Sequence, residues 1–221
     1  MNSQETNTKI SSTSGSGGSV PPESGTSVAG FFWDLFKIFL IAFLITAPFR
    51  LFVAEPFVVS GSSMYPSFHD KDYLVVDRFT YSNWKVGSIN LKKGEEPKRG
   101  EVLVFKYPKD TSQYFVKRVI ALPGETVQVF QGGVFIYNQE HPDGYKLDES
   151  YLPENLQTQG IIGKNGKLTL GSEEYFVLGD NRPASSDSRV WGVLPKEDIV
   201  GRVFLRVLPV EDFGIIRGAT Y

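Results

Sequence analysis

The sequence predicts a mainly β domain behind one apolar helix, and three observations predict it. Runs of β-branched and aromatic residues, often alternating, recur from Tyr73 to Leu208. No stretch after residue 55 repeats its apolar residues at the helical period. Before residue 55 lies one run too uniformly apolar for a surface helix.

Residues 1–29 are rich in Ser, Gly and Thr and almost free of large apolar side chains. Such a segment buries too little surface to order itself and reads as a disordered tail. Residues 31–54 are apolar apart from Asp34, Lys37 and Arg50. As a helix, this run is long enough to cross a hydrocarbon core of about 30 Å, and it reads as a transmembrane anchor. Asp34 and Lys37, three apart, can pair on one face, and Pro48 is tolerable near the far end. A cleavable leader is disfavoured: the preceding tail is long and poor in basic residues, and Phe52 spoils a small-x-small site at Ala54. Lys9 and Lys37 before the span and Arg50 after it encode little orientation.

Residues 55–221 are enough for one packed domain. Strands are predicted at 73–79, 101–107, 114–122, 126–131, 134–138, 167–170, 175–178 and 199–208, with a hairpin turn at Gln131-Gly132-Gly133-Val134. Residues 139–172, loose and rich in Pro, Gly, Asn and Gln, read as a small insertion. The formal charge of -2 argues against a nucleic-acid partner. The chain has no cysteine, so it carries neither a disulfide framework nor a thiolate metal site. Its two histidines are far apart, and His69 follows Pro66-Ser67-Phe68 in a turn, which makes it a structural or solvated residue.

The chemistry points to Lys117. If 114–122 is a strand, alternation sets Phe115, Lys117 and Val119 on one face, with the amine between two apolar side chains. Lowering a lysine from about 10.4 to about 8 takes roughly 3 kcal/mol, which burial can supply. A neutral amine of that kind can take the proton of a serine hydroxyl, which is otherwise a poor nucleophile. Ser60, Ser62 and Ser63 lie together in Ser60-Gly61-Ser62-Ser63-Met64-Tyr65-Pro66. The residues alone do not choose among the three.

Four blocks carry a resemblance: GSSMYPSF at 61–68, RGEVLVF at 99–105, FVKRVIALPGE at 115–125 and GDNRPASSDSR at 179–189, followed by Trp191-Gly192. In that order they resemble the bacterial-type type I signal peptidases (leader peptidases), membrane-anchored Ser/Lys endopeptidases. The resemblance spans nearly everything after the tail. It implies a signal-peptidase-like antiparallel β catalytic domain with a short inserted subdomain at 139–172. By the same resemblance Ser63 is the nucleophile, Lys117 the general base, and Ser185 the hydroxyl that orients the amine. The Ser63 N–H would stabilise the oxyanion. Some family members add a serine hydroxyl two residues before the nucleophile; here that position is Gly61, a known alternative. Val59, Gly61, Met64, Phe68, Phe115 and Val116 are the implied substrate-binding residues. Arg118, Asp180, Asp187 and Arg189 are implied to pair structurally around the site. Relatives of the endoplasmic-reticulum type use histidine where this chain has Lys117.

The resemblance further implies removal of signal peptides from exported preproteins after an Ala-x-Ala-like site, with no metal or organic cofactor. Preproteins and membrane lipid are the expected partners. The tail would lie inside the plasma membrane and the catalytic domain on its outer face; a cyanobacterial or plastid-related source would admit the thylakoid membrane too. Nine residues from Ala54 to Ser63 reach at most about 30 Å, which tethers the nucleophile near the bilayer. Phe57, Phe68, Phe79, Tyr81 and Trp84 are candidates to rest that face among headgroups. Two other readings stand beside this one: a self-cleaving Ser/Lys repressor of the DNA-damage response, which the membrane run argues against, and a tethered, non-catalytic β domain that binds export substrates or cell-wall components.

Overall fold

The computed structural model describes residues 28–52, 54–81, 84–86, 89–92, 94–163 and 166–221; at 47–52, 54, 84–86 and 89–92 it describes the backbone alone. The tail through residue 27 and the Trp84 ring lie outside the described residues. The chain divides into two compact units at Phe43 and Leu44.

Helix α1 (Val28–Phe52) starts three residues before the run read from the sequence and stops short of its end; Ala54 already opens a strand. Its leucines and alanines, and the absence of glycine after Gly30, favour the helix, while Ile38, Ile41, Ile45 and the aromatic rings add apolar surface rather than helix propensity. Its side chains from Phe31 to Thr46 are all exposed, so no apolar face finds a protein partner. The 19 residues of Val28–Thr46 are long and apolar enough to cross a membrane. Asp34 Oδ1 and Lys37 Nζ pair at 3.2 Å, as their spacing predicts.

Every strand pairing described in the second unit is antiparallel. Its strands are β1 (Ala54–Val58), β2 (Tyr73–Asp77), β3 (Trp84–Val86), β4 (Ile89–Lys92), β5 (Val102–Tyr107), β6 (Asp110–Ala121) and β7 (Thr126–Phe130). They continue with β8 (Gly133–Tyr137), β9 (Tyr145–Lys146), β10 (Lys167–Thr169), β11 (Glu174–Leu178), β12 (Leu194–Pro195), β13 (Ile199–Leu208) and β14 (Gly214–Ile215). One sheet runs β1-β2-β13-β5-β6-β11-β12, with β14 on β13; a second runs β10-β7-β8-β9, and β3 pairs with β4. A short helix α2 (Ser188–Trp191) is the one α-helix among the described residues after α1.

The predicted hairpin forms with its two-residue loop one residue earlier than expected. Phe130 pairs with Gly133, and the two loop residues Gln131 (φ 49°) and Gly132 (φ 74°) take the left-handed conformation of a type I′ turn. The 139–172 segment is stitched into the second sheet at both ends: β9 pairs with β8, and β10 with β7.

Strand β6 organises the interior because three apolar clusters share it. Val116 packs with Val59, Met64, Leu74 and Val104; Phe115 and Val119 with Leu103, Phe105 and Trp191; Ile120 and Ala121 with Val127, Ile136 and Phe176. The strand is exposed at Thr111–Tyr114 and buried from Lys117 to Ala121. Lys117 is the first buried residue on that path.

Candidate active site

Lys117 sits where β6 enters the core. β11 pairs with β6 only as far as Leu178 opposite Arg118, so the strand beyond Arg118 has no neighbour on that side. On its other side Lys117 pairs with Leu103 of β5. The lysine is 3 % exposed. Its Nζ lies 5.4 Å from the Phe115 ring centroid, beside the apolar neighbour that alternation predicted. Burial pulls its pKa down from 10.5 to about 8, against the opposing pull of the Asp187 and Asp180 carboxylates.

Of the three clustered serines, Ser63 reaches the lysine. Nζ and Ser63 Oγ are 2.7 Å apart, and Nζ donates to the Val116 carbonyl at 2.8 Å. With one N–H engaged there, the lone pair of a neutral amine is free for the serine hydroxyl. Ser60 lines the same cleft without meeting the amine, and Ser62 serves through its backbone, accepting from Tyr65 N–H.

The loop that carries Ser63 is held from three directions. Below it, Met64 and Phe68 are fully buried, each contributing roughly 1.5–3 kcal/mol of apolar burial. On one side Asp70 Oδ1 accepts from Gly61 N–H at 2.8 Å. Gly61 stands at φ +88°, a conformation that a serine there would adopt only with strain. On the other side, Asn181 donates its backbone N–H to the Ser63 carbonyl and its Nδ2 to the Ser62 carbonyl, both at 3.0 Å. Among the described residues the Ser63 N–H has no acceptor, which leaves it available to an oxyanion.

Three expectations need correction. Ser185 does not meet the amine: its Oγ is buried with no hydrogen-bond partner among the described residues. That hydroxyl instead fills the space over Gly179, where an added Cβ would fall 2.1 Å from Oγ and 2.5 Å from the Ser63 carbonyl. Met64 and Phe68, expected in substrate pockets, are core residues at 0 % and 1 % exposure, and neither they nor Gly61 line the cleft. Of the aromatics proposed for headgroups, Phe68 is buried, Phe57 packs against the core, and Tyr81 donates its hydroxyl to Glu101 Oε2 at 2.5 Å. Phe79 alone of the four described is exposed.

The cleft itself holds about 360 Å³ and runs between the 57–60 segment and the open half of β6. Val59, Phe115 and Val116 line it as expected, joined by Phe57, Leu74 and Tyr114. The Phe57 and Tyr114 rings face each other across it at 5.5 Å. His69 is exposed and packs edge-on against Tyr65 at 5.3 Å, away from any base role.

Behind the cleft lies a buried ionic layer. Arg118 grips Asp180 through two bonds, Nε–Oδ1 at 2.9 Å and Nη2–Oδ2 at 2.6 Å, and donates Nη1 to the Gly100 carbonyl at 2.8 Å. Asp187 caps α2, accepts from Gly179 N–H at 3.1 Å, and pairs with Arg189 at 2.8 Å. The four charged residues named from the sequence therefore do pair, as Arg118–Asp180 and Asp187–Arg189. Sequence reasoning passed over Arg182, the largest fully buried side chain. It donates to the Gly179 carbonyl at 3.0 Å, to Tyr151 Oη at 2.8 Å and to Thr158, and pairs with Glu149 at 2.5 Å. The available signal was its place in Gly179-Asp180-Asn181-Arg182, directly after β11.

The family model described as "Signal peptidase, peptidase S26" matches residues 32–208. A probable signal peptidase I-2 of Synechocystis sp. is 32 % identical over 188 residues, covering 83 % of this chain and 76 % of that protein. A signal peptidase I P of Bacillus subtilis subsp. natto is 32 % identical over 186 residues, covering 80 % and 90 %. The crystal structure of a signal peptidase I from Enterococcus faecalis is 32 % identical, with a TM-score of 0.41, over 49 % of this chain and 97 % of that one. With 177 of its residues inside the family match and relatives aligned along most of its length, the chain belongs to the S26 signal peptidases, serine hydrolases that remove signal peptides.

Proposed function

We propose that this enzyme works by a Ser63–Lys117 dyad on membrane-held preproteins, cutting one bond after a small-x-small site. The observation that carries the reading is the 2.7 Å approach of Lys117 Nζ to Ser63 Oγ, by an amine that burial brings to about 8. Ser63 Oγ attacks the scissile carbonyl while the neutral amine takes its proton. The Ser63 N–H meets the developing oxyanion. The tetrahedral intermediate collapses to an acyl-enzyme ester, and the ammonium returns the proton to the departing amine. Water, deprotonated by the same lysine, then releases the signal segment and restores the serine.

The cleft supports the choice of substrate. Val59, Phe115 and Val116 line it beside Ser63 and Lys117, which suits apolar side chains next to the scissile bond. The edge of β6 before Arg118 that β11 leaves uncovered among the described residues offers backbone groups to an extended peptide. Exposed, apolar α1 supports a bilayer anchor, and the nine-residue tether favours a cut just outside the membrane. We read the tail as cytoplasmic and the β domain as facing outward.

Cleavage of a preprotein with an Ala-x-Ala site, in detergent, tests the reading. The wild type should cut at one position, and Ser63→Ala and Lys117→Ala should not, with their folds retained. Cutting by the lysine variant at the wild-type rate would rule the dyad out. No cutting by folded wild type would move the assignment to a non-catalytic binding domain.

A further inference from the structure

Tyr151 belongs to the 139–172 insertion, far in sequence from every catalytic block, yet it touches both arginines of the buried layer. Its ring stacks on the Arg118 guanidinium, with Cζ 4.5 Å from the ring centroid. Its hydroxyl accepts from Arg182 Nη2 at 2.8 Å and meets the Tyr221 hydroxyl at 3.2 Å. We propose that Tyr151 is a positioning residue of the Ser63–Lys117 pair, acting through these two arginines.

Two short paths join it to the reacting atoms. Along the first, Arg118 follows Lys117 in β6 and fixes Asp180 with two bonds. The next residue, Asn181, holds the carbonyls of Ser62 and Ser63. Along the second, Arg182 fixes the Gly179 carbonyl, while the Gly179 N–H binds Asp187. Residues 179–182, which clamp the nucleophile's loop, are thus braced at both ends by one aromatic side chain. Tyr221, reached by a C-terminal segment whose Ala219 N–H bonds the Gly100 carbonyl, closes over the same ring. An arginine stacked on an aromatic face keeps fewer rotamers and is held more firmly where the stack is desolvated.

The charged groups that face the Lys117 amine are Asp187 and Asp180. Each is neutralised by its own arginine, Arg189 and Arg118. Loosening Arg118 leaves Asp180 less compensated, and a less compensated carboxylate favours the ammonium. A fault at Tyr151 therefore has a signature that simple loss of stability lacks: the alkaline-rising limb of the pH–rate profile moves to higher pH.

The inference rests on the Ser/Lys reading, and the experiment separates the two. Full-length wild type, Tyr151→Leu, Tyr151→Phe and Ser63→Ala are assayed on the Ala-x-Ala preprotein from pH 6 to 10, with rates normalised to the folded fraction. Tyr151→Leu should lower kcat roughly tenfold with KM nearly unchanged, the size expected of a small misplacement of reacting groups, and shift the rising limb up by about half a unit. Tyr151→Phe keeps the stack and should keep the limb in place, losing about threefold in kcat through Arg182. Wild-type kcat and limb in both variants overturn the proposal, as does a leucine variant that loses only thermal stability. If Tyr151→Leu does not fold, Tyr151→Phe decides alone: lower kcat at unchanged KM sustains the proposal, and wild-type kinetics overturn it. Full activity of Ser63→Ala would instead remove the dyad itself, whatever Tyr151 does.

Discussion

The two faces of the 179–189 segment and its neighbours are built on opposite principles. In front is the cleft, walled by Val59, Phe57, Leu74 and Val116 together with Ser60, Gln113 and Ser186, where the Ser63 hydroxyl and the Lys117 amine meet. Behind is a layer in which Arg118, Arg182 and Asp187 are each nearly or wholly buried and every one is paired. The apolar side makes an amine lose its proton; the ionic side fixes where that amine and its serine stand. A charge is tolerated in front because it can be given up, and behind because it cannot be separated from its partner. Function needs both, since desolvation without positioning leaves a neutral amine aimed at nothing.

The largest effect should come from removing the front charge. Lys117→Met should abolish cleavage while raising stability at pH 7 by up to about 3 kcal/mol, the cost implied by a folded-state value near 8 against 10.5 unfolded. Urea titration at pH 7 measures the second half; equal stability of the two proteins would mean the amine is not desolvated. Removing a charge from the back should do the reverse. Asp180→Ala leaves Arg118 buried without its carboxylate and should cost about 3–5 kcal/mol, read from the same titration.

Acidity sharpens the contrast. Because the folded-state pKa of Lys117 is depressed, its burial penalty is fully present below about 8 and fades as pH rises toward 10.5, where the unfolded chain also loses the proton. Stability from this group should rise across that window, and kcat should climb through about pH 8 as the amine becomes neutral. A kcat profile flat between pH 6 and 9 would mean that some other base is at work. Smallest of all should be the change at a solvated pair: Lys98→Ala, whose side chain is 71 % exposed beside Glu95, should alter stability by about 0.5 kcal/mol or less. A larger loss there would erase the distinction between buried and exposed pairs on which the comparison stands.

Much of the architecture was legible from local pattern. Ile199–Leu208 is a strand over the predicted residues, and the Gln131-Gly132 turn closes the predicted hairpin. Alternation put the Lys117 amine beside Phe115, as found. Strands β1, β3, β4, β9, β12 and β14 have no predicted counterpart, since their conformation comes from the neighbours they pair with and not from a pattern of their own. The resemblance implies Met64 and Phe68 as pocket residues, whereas both side chains are buried in the core beneath the nucleophile's loop.

What the sequence determined by itself was the inventory and its local geometry: an apolar helix, an antiparallel domain, and a lysine on a strand flanked by apolar residues. These follow from interactions within a few residues, where period and turn chemistry decide. The tertiary structure alone decided which serine meets the amine, that the Val116 carbonyl rather than the Ser185 hydroxyl takes its N–H, and that Arg182 and Tyr151 stand behind the site. The serine–lysine contact joins residues 54 positions apart and the Tyr151–Arg182 contact residues 31 apart. They depend on strand register and on how the insertion folds back over β6, which no local pattern encodes.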